Sequence, residues 1–200
     1  MKRICVFCGS SMGKRPEYQQ AASELADLFI KEDIGLVYGG ANVGLMKILA
    51  DKLLAAGKEV IGIMPHHLIS KEVAHQGLEH FIEVDTMSER KTTMAKLSDA
   101  FIALPGGFGT LDELSEVLTY NQLRICDKPL GFLNTKGYYD KLLAFIDHAV
   151  EEGFVREEHR KNLILSENVQ ELYQKLKAYQ PLETEKWIKD IKKESGQEEG

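Results

Sequence analysis

A glycine-rich segment in the middle of the chain, residues 104–113, ends in two carboxylates and has the sequence LPGGFGTLDE. Its three glycines, Gly106, Gly107 and Gly109, let the backbone turn tightly and approach a ligand closely. A helix that follows such a loop leaves backbone N–H groups unpaired in its first turn, and these suit a phosphate. A phosphate cradle beside a carboxylate indicates chemistry on a phosphorylated sugar.

The two carboxylates of this segment, Asp112 and Glu113, also have a structural interpretation. Thr110-x-x-Glu113 fits the capping-box pattern, in which the glutamate stabilises a helix N-terminus. Asp112 could equally be an acidic residue that favours the first turn of a helix. The residues alone therefore leave a catalytic and a capping role open for Glu113.

Two adjacent cations, Arg90 and Lys91, lie in the first turns of a helix predicted for residues 86–97. Thr86-x-x-Glu89 fits a capping box, so Glu89 is interpreted as structural. Cations at a helix N-terminus oppose the helix dipole, which favours a role for them other than stabilising the helix. Arg90 can bind phosphate or carboxylate through two nitrogens. A solvated basic turn is the alternative interpretation.

A second glycine-rich segment, Gly39-Gly40-x-x-x-Gly44, has the glycine spacing of a Walker A loop. Leu45 and Met46 stand where that loop needs lysine and a hydroxyl residue, so ATP hydrolysis is not expected. Neither glycine segment fits the dinucleotide fingerprint. Gly39 and Gly40 either form a tight strand-to-helix turn or approach a ligand.

Composition excludes several classes of protein. The net charge of −6 argues against a nucleic-acid binder, and no apolar run reaches the roughly 18 residues of a membrane span. The N-terminus lacks the apolar stretch of a signal peptide, so a cytoplasmic location is expected. Cys5 and Cys8 form a C-x-x-C inside a predicted strand, where they face opposite sides, so both are interpreted as packing residues.

Strand and helix patterns alternate along the whole chain. Apolar runs predict strands over residues 4–8, 35–38, 59–64, 81–84, 99–104, 129–133 and 163–165. Amphipathic helices are predicted from Pro16 onward and over residues 43–56, 86–97, 114–123, 138–151 and 169–177. This pattern predicts an α/β fold, a Rossmann-like doubly wound parallel sheet with helices on both faces. Residues 1–180 are predicted to form one catalytic domain, and residues 181–200 a charged tail with a peripheral helix.

Ligands of such sheets bind beyond the carboxyl ends of the strands. The strand ends therefore make Ser10, Gly39 and Gly40 candidate substrate-binding residues alongside the glycine-rich segment. His66, His67 and His75 have a spacing that matches no common metal site, so no metal is predicted.

Three motifs together, Gly39-Gly40-x-x-x-Gly44-Leu45-Met46, Met87-x-x-Arg90-Lys91 and Pro105-Gly106-Gly107-x-Gly109-Thr110-x-x-Glu113, resemble the LOG family in order and spacing. The resemblance covers about residues 2–178, and the chain looks like a bacterial, Bacillus-type member. These enzymes are cytokinin riboside 5′-monophosphate phosphoribohydrolases, often mislabelled as lysine decarboxylases. His67 stands where plant members carry a glutamate, and Asp112-Glu113 where they commonly have two glutamates.

The resemblance implies hydrolysis of the N-glycosidic bond of a nucleoside 5′-monophosphate, with a homodimer as the unit and no cofactor. It implies catalytic roles for Arg90 and Glu113. The implied substrate contacts are Lys91, Gly106, Gly107, Phe108, Gly109, Thr110, Leu111, Asp112 and Thr119.

Three other functions are compatible with the same residues. A nucleotide-binding sensor or carrier would need the glycine loops but not Glu113. A pyridoxal-phosphate lysine decarboxylase would need a Schiff-base lysine, for which Lys91 is the tempting candidate. A broader nucleotide nucleosidase acting on AMP would differ only in the shape of its base pocket.

Overall fold

The computed structural model describes residues 1–69 and 74–181. In this part of the chain, seven parallel strands form one sheet in the order β4-β3-β2-β1-β5-β6-β7. The strands are β1 (Arg3–Phe7), β2 (Gly35–Tyr38), β3 (Val60–Pro65), β4 (His80–Val84), β5 (Ala100–Ala103), β6 (Leu130–Leu133) and β7 (Ile164–Ser166). The predicted doubly wound α/β sheet is confirmed.

The central strand β1 sets the position of the ligand crevice. Cys5 is in register with Val37 of β2 on one side and with Phe101 of β5 on the other. The chain builds the sheet outward through β2, β3 and β4, then returns to the other side of β1 for β5. Such a reversal of strand order is a topological switch point, and ligands of doubly wound sheets bind at its carboxyl end.

Helices cover both faces of the sheet. They are α1 (Pro16–Glu32), α2 (Gly44–Ala55), α3 (His66–Ile69), α4 (Met87–Leu97), α5 (Phe108–Gln122), α6 (Asp140–Glu151), α7 (Glu157–Lys161) and α8 (Val169–Lys177). Buried side chains of α1, α2 and α8 form one apolar core with the sheet. Side chains of α4, α5 and α6 pack on the opposite face and form a second core.

The two cores also explain the C-x-x-C. Cys8 belongs to the first core and Cys5 to the second, so their side chains lie on opposite faces of the sheet as predicted. Both are buried free thiols. Burial, and after it the charge of Glu113, raises the pKa of Cys8, which keeps its thiol protonated.

The main error in the predicted elements concerns the start of α5. The apolar periodicity predicted this helix over residues 114–123, whereas it begins at Phe108 and ends at Gln122. The short helices α3 and α7 were not predicted. Except for Pro181, the predicted tail of residues 181–200 lies outside the described residues. Among the helices that the structure describes, none has the length and apolar character needed to cross a membrane.

Candidate active site

A cavity of about 170 Å³ lies at the switch point, between the carboxyl ends of β1, β2 and β5. Its lining comes from Val6, Cys8, Gly9, Ser10, Gly39, Met46, Arg90, Gly107, Phe108, Gly109, Thr110 and Glu113. A second cavity of about 290 Å³ shares Gly9, Ser10 and Gly107 with the first. The two spaces therefore adjoin at the loop that follows β1.

The chemistry of the first cavity is set by a buried ion pair. Nη1 of Arg90, on α4, lies 3.7 Å from Oε1 of Glu113, on α5. Only 8% of Arg90 and 9% of Glu113 is exposed. Because charges are poorly screened in such surroundings, each group has a strong electrostatic influence on the other. The structure thus brings together the two residues for which the resemblance implied catalytic roles.

Backbone carbonyls at two strand ends fix the guanidinium of Arg90. Nε donates to the carbonyl of Ile63 at 3.0 Å, and Nη2 donates to the carbonyl of Gly39 at 3.4 Å. A Cβ at position 39 would overlap Nη2, so glycine is needed there for close approach. These contacts leave the edge of the guanidinium that carries Nη1 to face Glu113.

The first turn of α5 forms another wall of the same cavity. Gly107 is the N-cap, and no side chain in the described part of the chain caps it. Leu111 N donates to the Gly107 carbonyl at 3.0 Å, which is the first bond of the helix. The backbone N–H groups of Phe108, Gly109 and Thr110 precede that bond and have no partner within the helix. All three residues line the cavity.

This geometry removes the capping-box interpretation of Glu113. Thr110 is the third residue of α5 rather than its N-cap, so Thr110-x-x-Glu113 lies wholly inside the helix. At α4, by contrast, the predicted capping box is present. Glu89 N donates to Thr86 Oγ1 at 3.0 Å, and Glu89 Oε2 accepts from Asp85 N at 2.9 Å.

Lys91 lies outside the cavity and links the two helices instead. Its ammonium pairs with Asp112 at 3.1 Å and with Glu116, both on α5. Burial disfavours the charge, but the hydrogen bonds to Glu116 and Asp112 outweigh this effect and raise the pKa of Lys91. The ion pair with Lys91 also holds the carboxylate of Asp112 outside the cavity. Lys91 and Asp112 thus pair with each other outside the first cavity, and their implied contacts with substrate stay a prediction.

Four further predicted residues also lie outside the first cavity. Gly106 lines the second cavity, and Leu111 packs into the core beneath α5. The Gly40 carbonyl accepts from His75 N at 2.9 Å. Thr119 Oγ1 donates to the carbonyl of Ser115 in its own helix at 2.8 Å.

Sequence reasoning missed several residues that line the cavities. Cys8 and Gly9 follow β1, and Met46 lies in the first turn of α2. Tyr138, in the second cavity, follows β6. Each lies near the carboxyl end of a strand, and that position was the signal that could have identified them. Ser10 and Phe108, which were predicted, both line the first cavity, and Phe108 is 92% exposed.

His66 and His75 pair with carboxylates on different elements of the fold. His66 Nδ1 lies 2.9 Å from Glu83 Oε2, and His75 Nε2 lies 2.8 Å from Asp51 Oδ1. Across residues 1–69 and 74–181, no three histidine, cysteine or carboxylate side chains are grouped to hold a metal ion.

The fold and the site define a Rossmann-like α/β protein with a buried carboxylate in its ligand crevice. Solved structures share this fold. The molybdenum cofactor carrier protein of Chlamydomonas reinhardtii has a TM-score of 0.65 at 19% identity, covering 88% of this chain and 96% of that one. The molybdenum cofactor binding protein of Rippkaea orientalis has a TM-score of 0.62 at 23% identity, covering 89% and 97%.

Sequence comparison identifies the family. The family model described as possible lysine decarboxylase matches residues 46–176. The cytokinin riboside 5′-monophosphate phosphoribohydrolase LOG5 of Arabidopsis thaliana is 49% identical over 90% of this chain and 79% of its own length. The probable rice enzyme LOGL2 is 47% identical over 98% and 80%. The chain belongs to this family, the LOG family.

Proposed function

We propose that this protein hydrolyses the N-glycosidic bond of a nucleoside 5′-monophosphate, a cytokinin ribotide or AMP, and releases free base and ribose 5-phosphate. The observation that carries the proposal is the buried Arg90–Glu113 pair, 3.7 Å apart, in a cavity walled by the uncapped first turn of α5. Relatives named as phosphoribohydrolases, 47–49% identical over most of the chain, support it.

The substrate phosphate binds at the N-terminus of α5. The N–H groups of Gly109 and Thr110 and the positive end of the helix dipole favour an anion there. Ser10, Gly39, Gly107 and Phe108 complete the proposed binding site. Phosphate held at this point positions the sugar carbon that reacts, because binding energy far from the reacting bond lowers the cost of orientation.

Glu113 acts at the anomeric carbon of the ribose. Cleavage of an N-glycosidic bond builds positive charge on the sugar, as in oxocarbenium-like glycoside hydrolysis. The carboxylate stabilises this charge and orients a water molecule for attack on C1′. The bonding electrons leave with the base, which takes up a proton from solvent, while the attacking water loses one.

Arg90 orients Glu113. Its guanidinium stays charged, so it is not a proton donor to the base. Its Nε donates to the carbonyl of Ile63 and its Nη2 to the carbonyl of Gly39. These two bonds fix the position of Nη1, which faces the carboxylate of Glu113. Arg90 thereby holds the carboxylate of Glu113 aimed at one place in the cavity.

A panel of nucleoside monophosphates tests the proposal, with release of free base followed by chromatography. AMP and an N6-prenylated AMP are expected to yield adenine and the prenylated base, and Glu113→Gln is expected to abolish both reactions with the fold retained. Glu24→Gln, on the solvent side of α1, is the matched control and should retain activity. Nucleotide binding without base release by the wild-type protein would favour the carrier alternative.

The contacts of Lys91 do not fit a pyridoxal-phosphate lysine decarboxylase. A lysine that forms a Schiff base needs an amine that loses its proton readily. Lys91 is paired with Asp112 and Glu116, and its pKa is raised. No step of the proposed reaction uses such a cofactor.

The proposal includes a cytoplasmic homodimer. Free buried thiols at Cys5 and Cys8 suit a reducing compartment. Large exposed apolar side chains support self-association: Ile125, just beyond α5, and Phe145, in the middle of α6, are each 66% exposed. Light scattering coupled to size exclusion measures the oligomeric state, and a mass of one chain would contradict the dimer.

A further inference from the structure

Two consecutive tyrosines hold the glycine-rich loop from the side of β6. The hydroxyl of Tyr139 donates to the carbonyl of Leu104 at 2.5 Å. The hydroxyl of Tyr138 donates to the carbonyl of Gly106 at 2.5 Å. The two acceptors flank Pro105, so the tyrosines hold the loop at both ends of its turn.

The remaining carbonyls of this loop are also engaged. The carbonyl of Pro105 accepts from Gly9 N at 3.0 Å, and the carbonyl of Gly107 accepts the first helical bond of α5. Because a peptide unit is planar and trans, fixing a carbonyl also fixes the N–H on the other side of that unit. Holding the carbonyl of Gly106 therefore fixes the N–H of Gly107, a residue that lines the cavity.

Ring packing determines where the two hydroxyls lie. Tyr139 is buried and meets Phe132 edge to face at 5.3 Å between ring centroids. Tyr138 meets Tyr139 at 5.1 Å and Tyr18 at 5.7 Å, both edge to face. Such contacts restrict the rings. Burial also raises the pKa of Tyr139, so its hydroxyl remains a donor.

The turn that precedes the tyrosines is built to place them. Lys136 has a φ of 56°, in the left-handed region that lysine rarely adopts. Asn134 Oδ1 accepts from Tyr139 N at 2.7 Å, which ties the turn to the end of β6. Because β6 lies next to β5 in the sheet, this turn lies beside the loop that follows β5.

We infer that Tyr138 and Tyr139 are positioning residues for phosphate recognition, because they hold the backbone of residues 104–107 in the orientation that offers the loop N–H groups to a phosphate monoester. The inference rests on the proposed function, since it concerns the same cavity. Neither tyrosine needs to contact the reacting carbon. Their effect is confined to the contribution that the phosphate makes to binding and catalysis.

The test compares Tyr138→Phe and Tyr139→Phe with wild type. AMP and adenosine are used as substrates, and inorganic phosphate is titrated calorimetrically into the protein without substrate. Loss of one hydrogen bond is expected to weaken phosphate binding about fivefold and to lower kcat/KM for AMP by about the same factor. The kcat/KM for adenosine should change much less. Tyr173→Phe on α8, whose hydroxyl bonds to Glu32 at the end of the neighbouring helix α1, is the matched control and should resemble wild type.

Each result decides between named alternatives. A purely structural role would lower AMP and adenosine turnover together and would overturn the inference, as would unchanged phosphate affinity in both variants. Tyr138 is 40% exposed, so Tyr138→Phe keeps the test valid if Tyr139→Phe fails to fold. If wild type releases no base from any nucleotide, the proposed function fails, and the phosphate titration still decides the role of the tyrosines. If wild type releases base from AMP but binds no inorganic phosphate, the proposed function stands and the inference about the tyrosines fails.

Discussion

Arg90 and Glu113 form an ion pair across two helices, and both are nearly buried in a cavity that the loop after β1 also lines. The guanidinium has a planar fork of donors, and this fork reaches Ile63, Gly39 and Glu113 at once. The pair is therefore a single unit whose geometry is set from the ends of β2 and β3.

Replacement of Arg90 by lysine should lower kcat/KM for AMP by about 10²-fold, the usual cost of losing one preorganised electrostatic contact. A single ammonium cannot serve two strand-end carbonyls and a carboxylate together. Steady-state base release from AMP measures the effect. Arg160→Lys, in the surface pair with Asp147, is the control and should keep wild-type turnover. Full activity in Arg90→Lys would show that the fork is not needed.

Gly39→Ala should displace the guanidinium of Arg90, because the new Cβ would overlap Nη2. Activity is expected to fall together with the melting temperature. Gly57→Ala is an informative comparison, because a Cβ there meets no atom within 4 Å although its φ is +67°. That variant should lose stability through backbone strain but keep its activity. Equal kcat values for Gly39→Ala and wild type would contradict the packing argument.

Lys91→Met should reduce kcat with little change in KM, because its ammonium holds α4 to α5 through Asp112 and Glu116. A lysine that contacted the substrate would instead affect KM strongly. Lys91→Arg should restore part of the activity, since it keeps the positive charge between the two acidic residues. A large rise in KM with unchanged kcat would show that Lys91 contacts the substrate, as the family resemblance implied.

Acid stability should depend on Glu59, at the opposite end of the sheet from the site. Its hydrogen bond from Arg3 Nε, 2.7 Å long, is the largest cause of a lowered pKa. A carboxylate with a lowered pKa in the folded state contributes stability above its unfolded value, about 4.3. That contribution is lost as the pH falls through the folded pKa.

Melting temperatures of wild type and Glu59→Gln, measured between pH 7 and pH 3, provide the check. The two proteins should differ at pH 7 and converge on acidification. Base release at pH 7 should be the same for both, because Glu59 lies far from the cavity. Parallel melting curves at all pH values would show that the Arg3 pair makes no pH-dependent contribution.

The sheet was predictable because its strands are continuous apolar runs separated by amphipathic helices. The crevice followed from the glycines and polar residues at the strand ends. The start of α5 could not be found from periodicity, since Phe108, Gly109 and Thr110 carry no apolar repeat and form the wall of a cavity. Their helical conformation is stabilised by the rest of α5, which packs on the sheet.

The roles of Lys91 and of the tyrosine pair depend on tertiary contacts that a linear pattern does not encode. The sequence does not show whether the ammonium of Lys91 contacts Glu116 or enters the cavity, because a side chain from this turn of α4 could reach either place. Tyr138 contacts the loop after β5 only because β6 is the neighbour of β5. The apolar periodicity of the sequence does not predict that strand order.

The path of α4 has a consequence for how this protein folds. The helix leaves the edge strand β4, packs against β3, β2 and β1, and leads into β5 on the far side of the sheet. Arg90 is thus supplied by the half of the chain that ends with α4, and Glu113 by the half that begins at β5. Neither half contains both members of the pair, so the Arg90–Glu113 contact exists only when β5 of the second half is paired with β1 of the first.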